Sequence, residues 1–165
     1  MRFVFTKLFY VLAALAFIPL SLSWGRPWLA WLALAYDGLL IAAAIVDARI
    51  SRLPPGFQIS REFAGRFAMG AETEVRVQLQ NASNRSVSLI VKDEYPSQMT
   101  LSGMREARVH LEAQDTATLI YGVTPPRRGR FEFGQTALRF RSRFRLVWCQ
   151  LKIVEPVTVK VYPNM

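Results

Sequence analysis

Seven arginines fall within 19 residues. Arg127, Arg128 and Arg130 sit in "TPPRRGRFEFG" (124–134), and Arg139, Arg141, Arg143 and Arg145 in "LRFRSRFRL" (138–146). Guanidinium groups are planar, permanently charged forks of donors, so a cluster of them suits phosphate or carboxylate. A nucleotide-phosphate loop would need G-x-x-x-x-G-K-[ST] between a strand and a helix. Only Gly129 and Gly134 occur here, with strand patterns on both sides, so that chemistry is excluded. Pro125 and Pro126 stop the preceding strand and Gly129 allows a tight connection, so the motif reads as a strand–turn–strand corner. Arg139, Arg141, Arg143 and Arg145 recur at period two and share one face if their strand is unbroken. Nucleic acid is disfavoured, because Phe140 and Phe144 fall on the opposite, buried face instead of interleaving with the arginines. A solvated strand face, anionic lipid head groups and an acidic protein partner remain open.

No other residues assemble into a catalytic set. His110 is the only histidine and belongs to the polar side of a strand, so it reads as a surface residue. C-x-x-C and H-E-x-x-H spacings are absent, so no metal or cofactor is expected, and the chain reads as non-enzymatic. Cys149 is the single cysteine, which rules out an intrachain disulfide and fits a reducing compartment. Asn81-Ala-Ser and Asn84-Arg-Ser match the glycosylation pattern but read as turn residues that bond their own backbone.

The elements carrying these residues divide at about residue 47. From Leu8 to Gly25 there is no charge, and from Pro27 to Val46 there is one, Asp37. A helix rising about 1.5 Å per residue crosses a ~30 Å hydrocarbon core in roughly 20 residues. The expectation is a two-helix transmembrane hairpin, about 8–25 and 27–46, with Trp24, Trp28 and Trp31 at the head-group level of its turn. Arg2, Lys7, Arg49 and Arg52 flank the outer ends, against Arg26 alone at the turn. The positive-inside bias therefore places both termini and the following domain on the cytoplasmic side of the inner membrane. The rival reading is a cleaved signal peptide with Ser21-Leu22-Ser23 as its site. Asp37 at mid-span costs about 2.5–3.5 kcal/mol on insertion scales, so it is expected to bond Tyr10, a serine of the first span or a partner helix. Pro19 marks a kink.

Beyond Asp47 there are 18 Lys+Arg against 10 Asp+Glu, a balance that favours anionic lipid or an acidic partner. After a linker at 48–56, residues 57–165 alternate at period two. Segments 72–81, 86–96, 107–113, 116–123, 130–134, 136–142, 145–154 and 157–163 read as short strands separated by turn signals. About eight strands without a convincing helix predict a mainly β domain, an antiparallel immunoglobulin-like β-sandwich. Its expected core is Val77, Leu79, Leu89, Val91, Val109, Leu111, Leu119, Tyr121, Phe131, Phe133, Leu138, Phe140, Val159 and Val161.

Several stretches carry a family resemblance. They are "LPPGFQISREFAGRFAMGAETEVRVQLQNAS", "VKDEYP", "TLIYGVTPPRRGRFEFG", "LRFRSRFRLVWCQ" and "VTVKVYPN". With the apolar runs before them, they make the chain resemble the amino-terminal half of bacterial membrane proteins of the domain-of-unknown-function 58 family. The most specific landmarks are Tyr121, Pro125, Arg128-Gly129, Phe133-Gly134 and the Val-Tyr-Pro ending. The resemblance implies an adaptor or assembly module, partnered with a MoxR-type AAA ATPase and with von Willebrand A-like proteins. In similar proteins a von Willebrand A-like domain follows the sandwich. Residues 1–165 contain neither that domain nor a D-x-S-x-S metal motif, so no metal ligand is carried over. Arg145 stands where similar proteins often have Gly, in a turn before Leu146. An alternative reading makes the arginine-rich strand face a contact for the membrane surface or a cell-envelope polymer.

Overall fold

A computed structural model describes residues 2–163; residues 164 and 165, the end of the expected 57–165 domain, lie outside the described residues. The chain divides into two compact units. One comprises the residues up to Arg52 together with Phe140–Gln150, and the other comprises Leu53–Arg139 and the residues from Leu151 onward.

In the first unit, strand β1 (Arg2–Phe5) precedes three helices: α1 (Lys7–Ala14), α2 (Phe17–Ser21) and α3 (Pro27–Ile50). Thr6 caps α1, its hydroxyl oxygen accepting the Phe9 N–H at 3.3 Å. The expected first span is not one helix. Pro19 cannot donate to Leu15 four residues earlier, and the chain breaks just there, with Leu15 and Ala16 donating to the carbonyls three residues back. Tyr36 of α3 donates its hydroxyl to the Leu12 carbonyl at the break, at 3.0 Å. Lys7–Ser21 is thus a short apolar stretch of roughly 22 Å. Only α3 is long and apolar enough to cross a membrane among the described residues. Pro27 starts α3 at the first helical position, where its missing N–H costs nothing. The helix then runs for 24 residues, on to Ile50 and so into the expected linker.

The first unit also contains a segment expected in the β domain. β1 pairs antiparallel with the start of β11 (Val147–Val154), from Arg2 opposite Gln150 to Phe5 opposite Val147. The unit boundary therefore does not follow the division at residue 57.

The second unit is mainly β. Its strands are β2 (Phe57–Phe63), β3 (Phe67–Ala68), β4 (Thr73–Asn81), β5 (Val87–Asp93), β6 (Thr100–Ser102), β7 (Glu106–Leu111), β8 (Thr116–Thr124) and β9 (Gly129–Phe133), with β12 (Val157–Tyr162). β10 (Thr136–Arg141) lies in it up to Arg139. One sheet has the order β2-β4-β8-β6 and another β3-β12-β9, while β5 pairs with β7. The pairings described are antiparallel except that of β3 with β12.

Alternation carries the core. In β4, Val75, Val77 and Leu79 are fully buried while Arg76 and Gln80 face out. Opposite them in β8 stand Tyr121, Leu119 and Ala117. The expected core residues are buried except Val109, which is half-buried. Asn81 is also fully buried. Its amide donates to the Arg85 and Glu112 carbonyls at 2.7 and 2.8 Å and accepts from Ser83, closing the 81–85 turn.

Candidate functional site

Within the corner 124–134, residues 127–132 and Gly134 form one wall of a cavity of about 720 Å³ in the second unit. Pro125 ends β8 and its carbonyl accepts the Gly70 N–H at 2.9 Å. Gly129 then turns the chain at φ +149°, a backbone that side chains avoid. In β9, Phe131 and Phe133 point inward and Arg130 and Glu132 point outward. Arg127, Arg128 and Arg130 are all exposed here. The facing wall is Glu94–Gln98, the segment that follows β5. Arg105 lies against it, with its guanidinium 5.1 Å from the Tyr95 ring centroid.

The cavity is a mixed but basic site. Glu94 is partly neutralised, accepting from the Gln135 N–H at 3.3 Å and from Lys152 Nζ at 3.4 Å. Arg105, Arg127, Arg128 and Arg130 have no ion-pair partner among the described residues. Gly134 lets the two walls approach. A Cβ there would lie 2.7 Å from Glu94 Cβ and 2.5 Å from its Oε2, and the Gly134 N–H donates to the Glu94 carbonyl at 2.9 Å.

Both walls are held from beneath by a buried polar network. Asp93, the last residue of β5, accepts hydrogen bonds from Arg61, from Tyr121 Oη at 2.6 Å and from Thr136 Oγ1 at 2.6 Å. Arg61 also donates to the Gly134 carbonyl at 2.8 Å, and its guanidinium lies 5.6 Å from the centre of the Phe133 ring. The side chains of Arg61 and Asp93 are 1% and 0% exposed, so the pair has no water to replace either partner. Arg61 Nη1 is buried without a partner among the described residues. Burial, followed by the Asp93 charge, pushes the Tyr121 phenol well above its ordinary range, so it stays a neutral donor. Asp93 thereby fixes where Glu94 and Tyr95 begin, and Arg61 fixes Gly134.

The second half of the arginine cluster is not the expected stripe. β10 ends at Arg141, and residues 142–146 form a turn in which Arg145 takes φ +60°. Arg143 and Arg145 therefore leave the strand that carries Arg139 and Arg141. Phe144, expected inside, is 61% exposed. Arg141 covers Trp148, its guanidinium 4.9 Å from the ring centroid.

The cause of the turn is a residue the sequence reading passed over. Asp47, in the last turn of α3, is fully buried. Its carboxylate accepts the Ser142 hydroxyl, the Phe144 N–H at 3.0 Å, the Leu146 N–H at 3.3 Å and the Ser51 hydroxyl at 3.3 Å. The Arg143 N–H donates to Ser51 Oγ at 2.8 Å, and Thr6 Oγ1 donates to the Arg145 carbonyl at 2.6 Å. Burial, with a contribution from Asp47, raises the Cys149 thiol above its ordinary value.

Asp37 has no such partners among the described residues. Its Oδ1 is buried and unbonded, and neither Tyr10 nor a serine of the first apolar run reaches it. His110 is exposed, with Nδ1 2.6 Å from Ser88 Oγ and Nε2 3.1 Å from Glu112 Oε1. That chain of hydrogen bonds has the residue types of a nucleophile–base–acid set. Its members stand in open water, which competes for every bond that would activate the hydroxyl. Among the described residues no group of three or more His, Cys, Asp or Glu side chains is placed to hold a metal.

No family model matches the chain, and no curated protein matches its sequence. Among solved structures it is similar to the CARDB domain of the PF1109 protein from Pyrococcus furiosus, with 14% identity and a TM-score of 0.45 over 69% of this chain and 99% of that one. It is also similar to PapD-like domain 7 of human CEP192, with 12% identity and a TM-score of 0.44 over 68% and 90%. A FixG-related protein from Vibrio parahaemolyticus follows, at 6% and 0.42 over 66% and 98%.

Proposed function

We propose that this chain is a non-enzymatic, membrane-anchored adaptor, whose immunoglobulin-like β-sandwich takes up an acidic segment of a protein partner in the arginine-lined cavity. The observation that carries the reading is the set Arg105, Arg127, Arg128 and Arg130, four guanidinium groups around one opening without ion-pair partners among the described residues. Arginines left unpaired and water-accessible recognise carboxylates as bidentate forks. Their charge also steers an acidic partner toward the site.

The anchor is the apolar hairpin of α1 and α2 with α3, in which α1 and α2 pack against α3. Sidedness is supported by β1, which precedes the helices yet pairs with β11, which follows them. Both flanks of the apolar region then lie on one side, which the basic residues make the cytoplasmic side of the inner membrane. The family resemblance supplies the candidate partner, a MoxR-type AAA ATPase.

The test is a photo-crosslinking amino acid at position 97, on the cavity wall, in the full chain within native membranes. Recovery of an AAA ATPase, lost when Arg127, Arg128 and Arg130 are changed to glutamate, supports the reading. Recovery of lipid alone sinks it.

A further inference from the structure

We infer that the turn Arg143–Phe144–Arg145 is a fixed contact for anionic phospholipid head groups, held at the membrane surface by Asp47. The inference rests on α3 being the membrane anchor and concerns a different surface from the cavity.

Depth comes from the helix itself. Asp47 is 20 residues beyond Pro27, which places it about 30 Å along α3, the thickness of a hydrocarbon core. Trp24, Trp28 and Trp31, all largely exposed, mark the opposite boundary, where indole rings prefer to lie. A group bonded to Asp47 therefore sits at the level of the head groups.

The turn is bonded to Asp47 through three of its residues, Ser142, Phe144 and Leu146, and to Ser51 through Arg143. Thr6, at the start of α1, holds the Arg145 carbonyl. These contacts all lie within the first unit, so the turn and the helix end form one body. What this body presents outward is an aromatic ring between two cations. Phe144 is 61% exposed, and Arg143 and Arg145 are exposed on either side of it. Arg49 and Arg52, on the last turn of α3 and just past it, are exposed as well.

An exposed phenylalanine flanked by arginines is poorly matched to water and well matched to an anionic interface. The ring enters the boundary between head groups and acyl chains while the guanidiniums bind phosphates. The carboxylate that would repel the same lipids is the one turned inward: Asp47 is fully buried and saturated with donors. Arg145 at φ +60° is part of this arrangement, since the left-handed backbone is what lets the turn close over the helix end.

The test uses the full chain in vesicles, with Phe144→Cys in a Cys149→Ser background carrying an environment-sensitive fluorophore. In vesicles containing phosphatidylglycerol the probe should be quenched by head-group spin-labelled lipid and shielded several-fold from aqueous iodide. In phosphatidylcholine alone that shielding should weaken, as it should in a background of Arg143→Ser with Arg145→Gly. The glycine keeps the turn, because it adopts positive φ freely. Asp47→Asn should release the probe to iodide in either lipid. A probe as open to iodide as in the unfolded chain, or shielding indifferent to lipid charge, overturns the inference. Flotation after an alkaline wash separates the two claims: a chain that fails to float loses its anchor, and one that floats with an open probe loses only the lipid contact.

Discussion

Asp47 and Ser142, 95 residues apart in sequence, are joined by a buried hydrogen bond from the serine hydroxyl to the carboxylate. The same carboxylate takes two backbone N–H groups of the turn, so one side chain at the end of an apolar helix decides the path of residues 142–146.

Asp47→Ala leaves those donors buried without an acceptor. Hydrogen bonds to charged groups contribute about 1.5–3 kcal/mol each and do not add fully, so a loss on the order of 3 kcal/mol is expected. Cys149, buried beneath the turn with its thiol raised by burial, should then alkylate much faster, as read by mass spectrometry in detergent. An unchanged rate would mean that the turn holds without Asp47.

Asp93→Ala strands Arg61 in a dry site, and removal of one partner of a buried pair costs about 3–5 kcal/mol. Replacing both, as Arg61→Met with Asp93→Leu, should recover part of that stability, because neither charge is then left alone while Tyr121 and Thr136 still lose their acceptor. Chemical denaturation of the wild type, Arg61→Met, Asp93→Leu and the double variant gives the coupling energy. A loss in the double variant equal to the sum of the two single losses would exclude a mutually dependent pair.

Tyr121 ties stability to alkaline pH. Its folded pKa is raised, so the folded state holds the phenolic proton more tightly than the unfolded chain does. That contribution is complete below the ordinary tyrosine value of about 10 and is lost as pH rises above it. The unfolding free energy of the wild type should fall above about pH 10 more steeply than that of Tyr121→Phe. The variant should also be weaker at neutral pH by about 1.5–3 kcal/mol, the loss of a hydrogen bond to a charged acceptor.

Arg145→Gly should be neutral or stabilising within about 1 kcal/mol, since relief of the left-handed backbone offsets the added freedom of the unfolded chain. Ala at the same position, which keeps the strain, should not share the gain. Thermal melts of the two variants distinguish them.

The sequence pattern was most informative where strand faces are chemically uniform. β4 and β8 alternate apolar and polar residues because one face meets a dry core, and Tyr121 and Leu119 could be placed inside on that ground. β2 alternates as well, but Arg61 occupies an inward position and breaks the apolar pattern. Its charge is matched only by Asp93, 32 residues later, which no local period reveals. The four arginines at period two gave the opposite error. Their spacing described a single strand, but Asp47 withdraws Ser142 and bends the chain. The first apolar run shows a third limit: its composition suits a span, and Pro19 with the break before it divides the helix into α1 and α2. The arginine cluster of the cavity was legible through Arg127, Arg128 and Arg130. Its other wall, Glu94–Gln98 with Arg105, was not, because only the fold brings those residues together.

The pairing of β1 with β11 also sets a timetable. Ribosomes add roughly 5–20 residues per second, so Arg2–Phe5 emerges about 7–30 s before the residues that complete its ladder. Throughout that interval Arg2–Phe5 lacks its β11 partner, while the apolar helices behind it have already been made. On the anchoring proposed above, insertion comes first, and the ladder that ties the two ends of the unit together closes only once Gln150 has been made.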